Sequence, residues 1–185
     1  RASVREIKVF LIATGREAES DFAEWARFLA WASALRTPQG KQVRFVFSVT
    51  PLVRFPHTPL EFEPTPSAER MRDAIAAIME RTKQAGFEIR QAASVEEALF
   101  CDQLLRAKRP EIYEALRDAA LESGIVYDRE IPASLYRLFL SKLSARGLDP
   151  DALRADFSVE ANADAPWVSL GVGVSRSYLA EQYAR

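Results

Sequence analysis

Two short apolar runs separated by one amphipathic helix constrain the fold of this chain more than any other feature of its sequence. The runs are "IKVFLIATG" (7–15) and "VRFVFSVT" (43–50), and such continuous apolar runs are typical of strands covered on both faces. Between them, "ESDFAEWARFLAWASALR" has apolar residues at helical spacing, with Ser20 as the expected N-cap. Because strand, helix and strand form a right-handed crossover unit, the pattern predicts two adjacent parallel strands.

The rest of the chain divides into a continuation of this pattern and a helical region. A second helix is predicted from Ser67 to Gly86, and "FEIRQAA" after it is either a third strand or an extended connection. From residue 94 onward the sequence carries the start and end signals of helices. The segments "PEIYEALRDAALESG" and "PASLYRLFLSKLSARG" each begin with proline and end with glycine, and Ser175 is placed to cap a last helix. We therefore predict an α/β domain over 1–93 and a mainly α-helical domain over 94–185.

Composition excludes several classes of function. The chain has 185 residues, of which 25 are basic and 26 acidic, so its net charge of −1 favours neither nucleic acid nor an acidic membrane surface. No apolar run approaches the roughly 18 residues of a membrane span. A single cysteine, Cys101, excludes an internal disulfide, leaves too few thiolates for a metal centre of this chain's own, and makes the cytoplasm the expected compartment. Because the chain begins with Arg1, we expect it to be part of a longer protein.

The segment "FSVTPLVRFPHTPLEF" (47–62) runs from the second apolar strand directly into three prolines. Since proline has no N–H to donate, Pro51, Pro56 and Pro59 should stop ladder pairing and end the strand near Thr50. In α/β sheets, ligands bind outside the carboxyl ends of the strands, so the residues that leave this strand are expected at the edge of a pocket.

Arg54 and His57 lie between these prolines, and each has two interpretations. Arg54 can pair with a carboxylate or phosphate of a ligand, or with a carboxylate of the protein itself. His57 can titrate near neutrality or bind a metal, or it can simply cap a turn. If both point into a cavity, we expect alanine at either position to leave the fold largely intact.

The residues of this segment also carry a family resemblance. "RFVFSVTPLVRFPHTPLEFE", together with "KVFLIATGREAESDFAEW", "GIVYDREIPASLYRLFLSKLSARGLDPD" and "APWVSLGVGVSRSYLAEQYAR", resembles the carboxyl-terminal part of cobalamin-binding-type radical S-adenosylmethionine (radical SAM) proteins. The similar elements occur in the same order over nearly the whole chain. The Pro-His-Thr-Pro element, Pro56 to Pro59, is the most specific of them.

The resemblance implies both a fold and a chemistry. The fold is a partial parallel (β/α) barrel, a partial TIM barrel, whose last strands are Ile7 to Thr14 and Val43 to Thr50, followed by a helical C-terminal extension. The chemistry is that of an iron-sulfur enzyme in which a 4Fe-4S cluster, held by three closely spaced cysteines, cleaves S-adenosylmethionine to start radical reactions on a substrate. This chain has no such cysteine loop, so no metal ligand is expected in it. The cluster-binding half is expected upstream or on a partner chain.

Carried over residue by residue, the resemblance predicts the site. Ile12, Ala13 and Thr14 are expected to line the adenosyl pocket, and Ser48, Thr50 and Leu52 the end of the next strand. Arg54 and His57 are expected on the side of the substrate, which is a small molecule or a substrate of unknown class.

Some elements of the family pattern are absent. The family's "RGD" is replaced at Arg106 to Lys108, and its "PWD" and "ID" aspartates are replaced by Val168 and Gly171. The "YD" element is kept as Tyr127 and Asp128. The lost aspartates leave open an alternative function, a non-catalytic accessory or interaction module with an exposed apolar edge along Ile7 to Thr14.

Three weaker motifs favour structural interpretations. "GVGVS" (171–175) resembles a phosphate-binding turn but lacks the spacing of a dinucleotide fingerprint, so we interpret it as a packing turn. The carboxylates of Glu17, Glu19 and Asp21 are typical of a solvated helix start. Cys101 lies within a predicted helix without a partner histidine, which favours a structural role.

Overall fold

The fold is described from a computed structural model, which describes residues 4–105, 107–125, 131–155 and 165–184. The chain forms two compact units. The first, called the sheet unit, comprises Arg1–Leu52 and Pro66–Val95, and the second, called the helical unit, comprises Val53–Thr65 and Glu96–Arg185. The proline-containing segment after the second strand thus belongs to the helical unit, whereas the sequence analysis placed it with the strands.

The sheet unit is built on a three-stranded parallel sheet. Its strands are β1 (Glu6–Ala13), β2 (Arg44–Pro51) and β3 (Glu88–Gln91), in the order β1-β2-β3. β1 pairs with β2 along its whole length, from Glu6 opposite Arg44 to Ala13 opposite Pro51, and β2 pairs with β3. The predicted α/β class with a parallel sheet is therefore confirmed, and "FEIRQAA" contributes a strand.

Two helices connect these strands. α1 (Glu19–Ala34) does not begin at Ser20 as predicted: its N-cap is Ala18, whose N–H donates to the Asp21 carboxylate at 2.8 Å. The carboxylate three residues into the helix replaces the serine hydroxyl as the capping group. α2 (Ala68–Gln84) begins as predicted, because the Ser67 Oγ accepts a hydrogen bond from the Arg70 N–H at 3.3 Å.

An aromatic core lies between one face of the sheet and these helices. Trp25 of α1 contacts Phe47 of β2, and Phe28 of α1 contacts both Phe45 and Phe47, with ring centroids 5.4–6.5 Å apart. The indole of Trp25 also donates to the Thr82 hydroxyl of α2 at 3.1 Å. Both helices therefore cover the same face of the sheet, the face to which the odd-numbered residues of β2 point.

The opposite face of the sheet is called here the Phe10 face. Because side chains alternate along a strand, it carries the even-numbered residues. Phe10 is 73% exposed and Ile12 is 55% exposed on this face. The residues of the Phe10 face are Glu6, Lys8, Phe10, Ile12, Arg44, Val46, Ser48, Thr50, Glu88 and Arg90.

Pro51, the first proline of the segment 47–62, lies inside β2 rather than beyond it. β2 ends at Pro51, and the N–H of Leu52 still donates to the Ala13 carbonyl at 2.8 Å. Val49, on the same side of the strand as Pro51, makes its hydrogen bond towards β3, through its carbonyl and the N–H of Ala92. An N–H at position 51 would also point towards β3. Because β3 ends at Gln91, it would have no strand partner there, so proline at this position costs no ladder hydrogen bond.

The helical unit contains five helices and two short 3-10 turns among the described residues. The turns are Pro59–Phe62 and Pro166–Ser169. The helices are α3 (Val95–Leu105), α4 (Pro110–Ser123), α5 (Ala133–Ser144), α6 (Pro150–Ala155) and α7 (Arg176–Tyr183).

Several of the residues predicted to begin or end these helices do so. Pro110 is the first residue of α4, and Gly124 after it has a φ of 67°, which glycine adopts without strain. The Ser175 hydroxyl caps α7 by accepting from the Tyr178 N–H at 3.2 Å. Tyr127, Asp128 and Arg106 of the family pattern lie outside the described residues.

The core of the helical unit is formed mainly by α3, α4 and α5. Phe100 of α3 contacts Tyr136 and Phe139 of α5, with ring centroids 6.3 and 5.2 Å away. Leu143 of α5 is fully buried as well. Within the described part of the chain, no helix combines the length and apolar character needed to cross a membrane.

Candidate functional site

The six site residues predicted in the sheet unit lie together at the carboxyl ends of two neighbouring strands. In the register of the sheet, Ile12 is opposite Thr50 and Phe10 is opposite Ser48. Thr14 and Leu52 follow directly after β1 and β2. The parallel pairing thus brings the two predicted groups to one edge of the sheet.

These six side chains differ in what they can offer to a ligand. Ala13 and Leu52 are buried and contribute to packing. Ile12 is exposed, and Thr14 and Thr50 are half-buried. The hydroxyl of Ser48 is buried and has no hydrogen-bond partner among the described residues. Apolar contact is therefore available from Ile12, and hydroxyl groups from the two threonines and Ser48.

The turn after β1 is shaped by a glycine and a carboxylate. Gly15 has a φ of 73°, and a Cβ at this position would lie 2.5 Å from the Pro66 Cγ, so only glycine fits without displacement. The turn lets the Glu17 carboxylate accept hydrogen bonds from both the N–H and the hydroxyl of Thr14. The second oxygen of Glu17, Oε2, is buried without a hydrogen-bond partner in the described structure.

This arrangement corrects one expectation about the helix start. Glu17 was interpreted as a solvated carboxylate, but it folds back onto Thr14, which is a predicted site residue. Glu19 does extend outward, 4.0 Å from Arg81, and Asp21 caps α1. Because the positive φ of Gly15 reverses the chain, the carboxylate nearest to the strand end is directed towards it.

Arg54, in the helical unit, is fully buried and pairs with a carboxylate of the protein. Its backbone N–H and its Nε both donate to Asp102 Oδ1, at 3.0 and 2.9 Å, and its Nη2 donates to Asp102 Oδ2. Its Nη1 donates to the carbonyl of Glu63 at 3.0 Å. Of the two interpretations of Arg54, the structure shows the pairing within the protein, and none of its surface is exposed.

His57 adopts a backbone conformation that is unusual for its residue type. Its φ is 63°, the only positive value at a non-glycine residue in the described structure. Its N–H donates to Glu61 Oε2 at 2.6 Å, so a carboxylate four residues later holds this conformation. The ring nitrogen Nε2 is buried and has no hydrogen-bond partner among the described residues. A buried imidazole nitrogen without a partner is costly and often marks a functional position.

Glu61, which holds His57, is itself only 1% exposed and is paired with a cation. Its Oε1 lies 3.2 Å from Nη1 of Arg176, the first residue of α7. The guanidinium of Arg176 also lies over the ring of Phe62, 5.5 Å from its centroid. At the other end of α7, the Tyr183 hydroxyl donates to the Glu63 carboxylate at 2.8 Å. The first and the last residue of α7 therefore both bind the segment after His57, one at the 3-10 turn and the other at the residue that follows it.

Cys101 has the properties of a structural thiol. It lies in α3 and is partly buried. Burial raises the pKa of the Cys101 thiol above its ordinary value, and the negative charges of Glu97 and Asp102 raise it further. The thiol is therefore protonated at neutral pH, which supports the structural interpretation.

The residues present do not fit a 4Fe-4S cluster. Such a cluster is held by several thiolates, and this chain has one cysteine. Within the described residues, no group of three histidine, cysteine, aspartate or glutamate side chains is arranged to hold a metal ion. The ligands of any cluster would have to come from other segments.

Three residues of these sites were missed by the sequence analysis: Glu61, Asp102 and Arg176. A carboxylate four residues after His57 is a local signal that could have pointed to Glu61. Asp102 and Arg176 are 48 and 115 residues from their partners, as the numbering shows, and no local spacing predicts such pairs.

Comparison of the chain with known protein families, with curated proteins and with solved structures finds no significant match in any of the three. The family resemblance therefore depends on the residues quoted for it.

Proposed function

We propose that this chain is the C-terminal portion of a radical SAM iron-sulfur enzyme. The observation that carries the proposal is the parallel sheet with α1 and α2 on one face only and an exposed Phe10 face opposite to them. In a (β/α) barrel the helices lie outside and the inner face of the strands lines the centre, whereas an open doubly wound sheet has helices on both faces. The edge strands β1 and β3 each pair with β2 alone among the described strands, which leaves room for further strands.

In this proposal the sheet unit supplies part of the S-adenosylmethionine pocket. Ile12 offers apolar contact to the adenosyl group, while Thr14 and Thr50 offer hydroxyl groups at the neighbouring strand ends. A 4Fe-4S cluster held by cysteines outside this chain would supply the reducing chemistry that acts on S-adenosylmethionine. Its cysteines belong to an N-terminal half or to a partner chain, since this chain cannot provide them. Cobalamin is part of the same family expectation.

The proline-containing segment takes the substrate side in this proposal. Arg54 acts there as a positioning residue, because its donors hold Asp102 and the Glu63 carbonyl rather than an open surface. His57 is the better candidate for contact with substrate, since its Nε2 has no hydrogen-bond partner in the described structure. The substrate itself is not identified by these residues. The balanced charge and the single cysteine favour a cytoplasmic protein without a nucleic-acid partner.

A second candidate function is a non-catalytic accessory module derived from such a barrel. The observation that favours it is the exposure of Phe10 and Ile12 on the edge strand β1. Exposed apolar residues beside an unpaired strand edge are typical of a surface that a partner covers. The two functions differ in whether the assembled protein does chemistry.

The test begins with the reading frame upstream of Arg1. If the enzyme proposal is right, the longer product contains three closely spaced cysteines, and anaerobic reconstitution with iron and sulfide gives a cluster absorbance. Replacing those cysteines with alanine should abolish the absorbance, whereas Cys101→Ala should retain it. Reduced, reconstituted protein should then convert S-adenosylmethionine to 5'-deoxyadenosine. A longer product without the three cysteines and without a cluster would overturn the enzyme proposal.

The accessory function has its own measurement. Sedimentation of the chain at low concentration should show self-association or capture of a partner, and an apolar dye should bind the exposed Phe10 face. A stable monomer that binds no dye would contradict this second candidate.

A further inference from the structure

We propose that the Phe10 face carries a binding pocket for a small carboxylate with a flat apolar group. A cavity of about 320 Å³ lies on this face, over the stretch of the sheet from Glu6, Arg44 and Glu88 to Phe10, Ser48 and Arg90. Its volume is at the lower end of the range for small-molecule sites, roughly 300–1,000 Å³. The pocket is formed by residues of the sheet unit alone.

Three lining residues form one row across the sheet. Phe10 of β1 is opposite Ser48 of β2, and Ser48 is opposite Arg90 of β3. Residues that are opposite each other in a parallel sheet point to the same face, so an aromatic ring, a hydroxyl and a guanidinium lie side by side. The row therefore presents one apolar, one polar and one cationic group to the same cavity.

Within the described residues, the Ser48 hydroxyl lacks a hydrogen-bond partner and the Phe10 ring is not covered by packing. Ser48 is 6% exposed, and its hydroxyl has no hydrogen-bond partner among the described residues. The ring of Phe10 is largely exposed. A buried hydroxyl without a partner is unfavourable, and a ligand oxygen would satisfy it.

The charges that line the cavity indicate the charge of the ligand. Arg44 lies between two carboxylates, 3.2 Å from Glu6 and 3.1 Å from Glu88, and Lys8 is 3.9 Å from Glu6. The lining thus has two carboxylates and three cations, which leaves one positive charge in excess. Arg90 makes no ion pair or hydrogen bond with any described residue, so the excess charge is assigned to its guanidinium.

The chemistry of the row selects a carboxylate. A guanidinium can donate two parallel hydrogen bonds to a carboxylate, and one excess positive charge matches one carboxylate better than a phosphate dianion. The Ser48 hydroxyl supplies a further donor, and an aromatic or other flat group of the ligand can stack on Phe10. This site goes beyond the proposed radical chemistry, because it takes a different class of ligand and uses Phe10 and Arg90, which are not among the residues expected around S-adenosylmethionine; Ser48 is the one residue that belongs to both sets.

Benzoate is a suitable probe, with benzyl alcohol as its uncharged analogue. In a titration of the full chain followed by ¹H–¹⁵N NMR, benzoate should give saturable shifts at the amides of Phe10, Ser48 and Arg90, with a Kd on the order of millimolar. Arg90→Gln should weaken benzoate binding by about tenfold or more, because a charge-assisted contact is lost. Benzyl alcohol should bind the wild-type chain more weakly than benzoate does, by a factor similar to that of the Arg90→Gln substitution.

Arg27→Gln is the matched control variant, because Arg27 is an exposed arginine of α1, whose helix packs on the other face of the sheet. It should bind benzoate as the wild-type chain does. No saturable shift in the wild-type chain, equal affinities of the Arg90→Gln and Arg27→Gln variants, or equal binding of benzyl alcohol would each overturn the proposal. Tighter binding of inorganic phosphate than of benzoate would overturn the choice of a carboxylate. None of these outcomes depends on a cluster, so the site and the radical chemistry can fail separately.

Discussion

Asp102 accepts hydrogen bonds from both the backbone and the side chain of Arg54. One oxygen receives the Arg54 N–H and Nε, and the other receives Nη2. Both residues are almost completely removed from solvent. Because the carboxylate contacts main chain and guanidinium together, this pair determines the path of the segment that follows β2 as well as the position of one side chain.

Removing the guanidinium should destabilise the protein strongly. Arg54→Met leaves the Asp102 carboxylate buried without its cation, and loss of one partner of a buried ion pair typically costs about 3–5 kcal/mol. The free energy of unfolding from urea denaturation measures this cost. This prediction differs from the expectation drawn from the sequence, that alanine at position 54 leaves the fold largely intact.

Two further variants test the origin of that loss. Arg54→Met combined with Asp102→Asn should be more stable than Arg54→Met alone, because the remaining amide is neutral and can still accept the N–H of residue 54. Arg117→Met serves as control: Arg117 is exposed and its partner Asp118 also pairs with Arg146, so the loss of Arg117 should cost less than about 1 kcal/mol. Equal stability of Arg54→Met and Arg117→Met would contradict this account.

The backbone of His57 should favour glycine over alanine. At a φ of 63° a non-glycine residue is strained, so His57→Gly should be more stable than His57→Ala by about 1 kcal/mol. Both variants lose the imidazole, so their difference isolates the backbone. Thermal denaturation monitored by circular dichroism measures it. If alanine proved at least as stable as glycine, the left-handed conformation at this position would be wrong.

The turn after β1 should not tolerate a side chain at Gly15. Gly15→Ala introduces both a strained positive φ and a contact with the Pro66 ring, whereas Gly86→Ala introduces only the strain, since nothing lies within 4 Å of a Cβ there. We expect Gly86→Ala to lose about 1–2 kcal/mol and Gly15→Ala clearly more. Urea denaturation of the two variants compares them. Equal losses would show that Pro66 moves aside without cost.

The reactivity of Cys101 should depend on folding and on pH. Because burial raises the pKa of its thiol, alkylation by iodoacetamide should be slower in the native protein than in urea, and the native rate should rise at higher pH than the unfolded rate. The neutral thiol contributes to stability below its ordinary pKa, and this contribution is lost as pH rises through the higher pKa of the folded state. The same rate and pH profile in both states would contradict the structural interpretation of Cys101.

Much of the fold could be predicted from local sequence. The continuous apolar runs predicted β1 and β2, and serine, proline and glycine predicted most helix ends, because these residues act on the backbone within a few positions. The start of α1 was wrong because two capping groups, Ser20 and Asp21, compete at adjacent positions and the sequence does not rank them.

The candidate site was less predictable because it depends on partners. Arg54 and His57 were identified as unusual from the prolines around them, but the sequence left open whether their partners are ligands or protein groups. The same chemical types serve both purposes: a guanidinium pairs equally well with a ligand carboxylate and with Asp102. The charge patterns around Glu17 likewise resembled an ordinary helix start.

The sequence by itself determined the order and the type of most elements, since strand and helix periodicity, caps and prolines act locally along the chain, whereas β3 became distinguishable from an extended connection only through its pairing with β2. Only the tertiary structure decided which charged groups meet: it brought Asp102 to Arg54, Arg176 to Glu61, and Phe10, Ser48 and Arg90 into one row. The physical reason is that these pairings join residues tens of positions apart, where chain folding, and not local backbone preference, sets the distance between side chains.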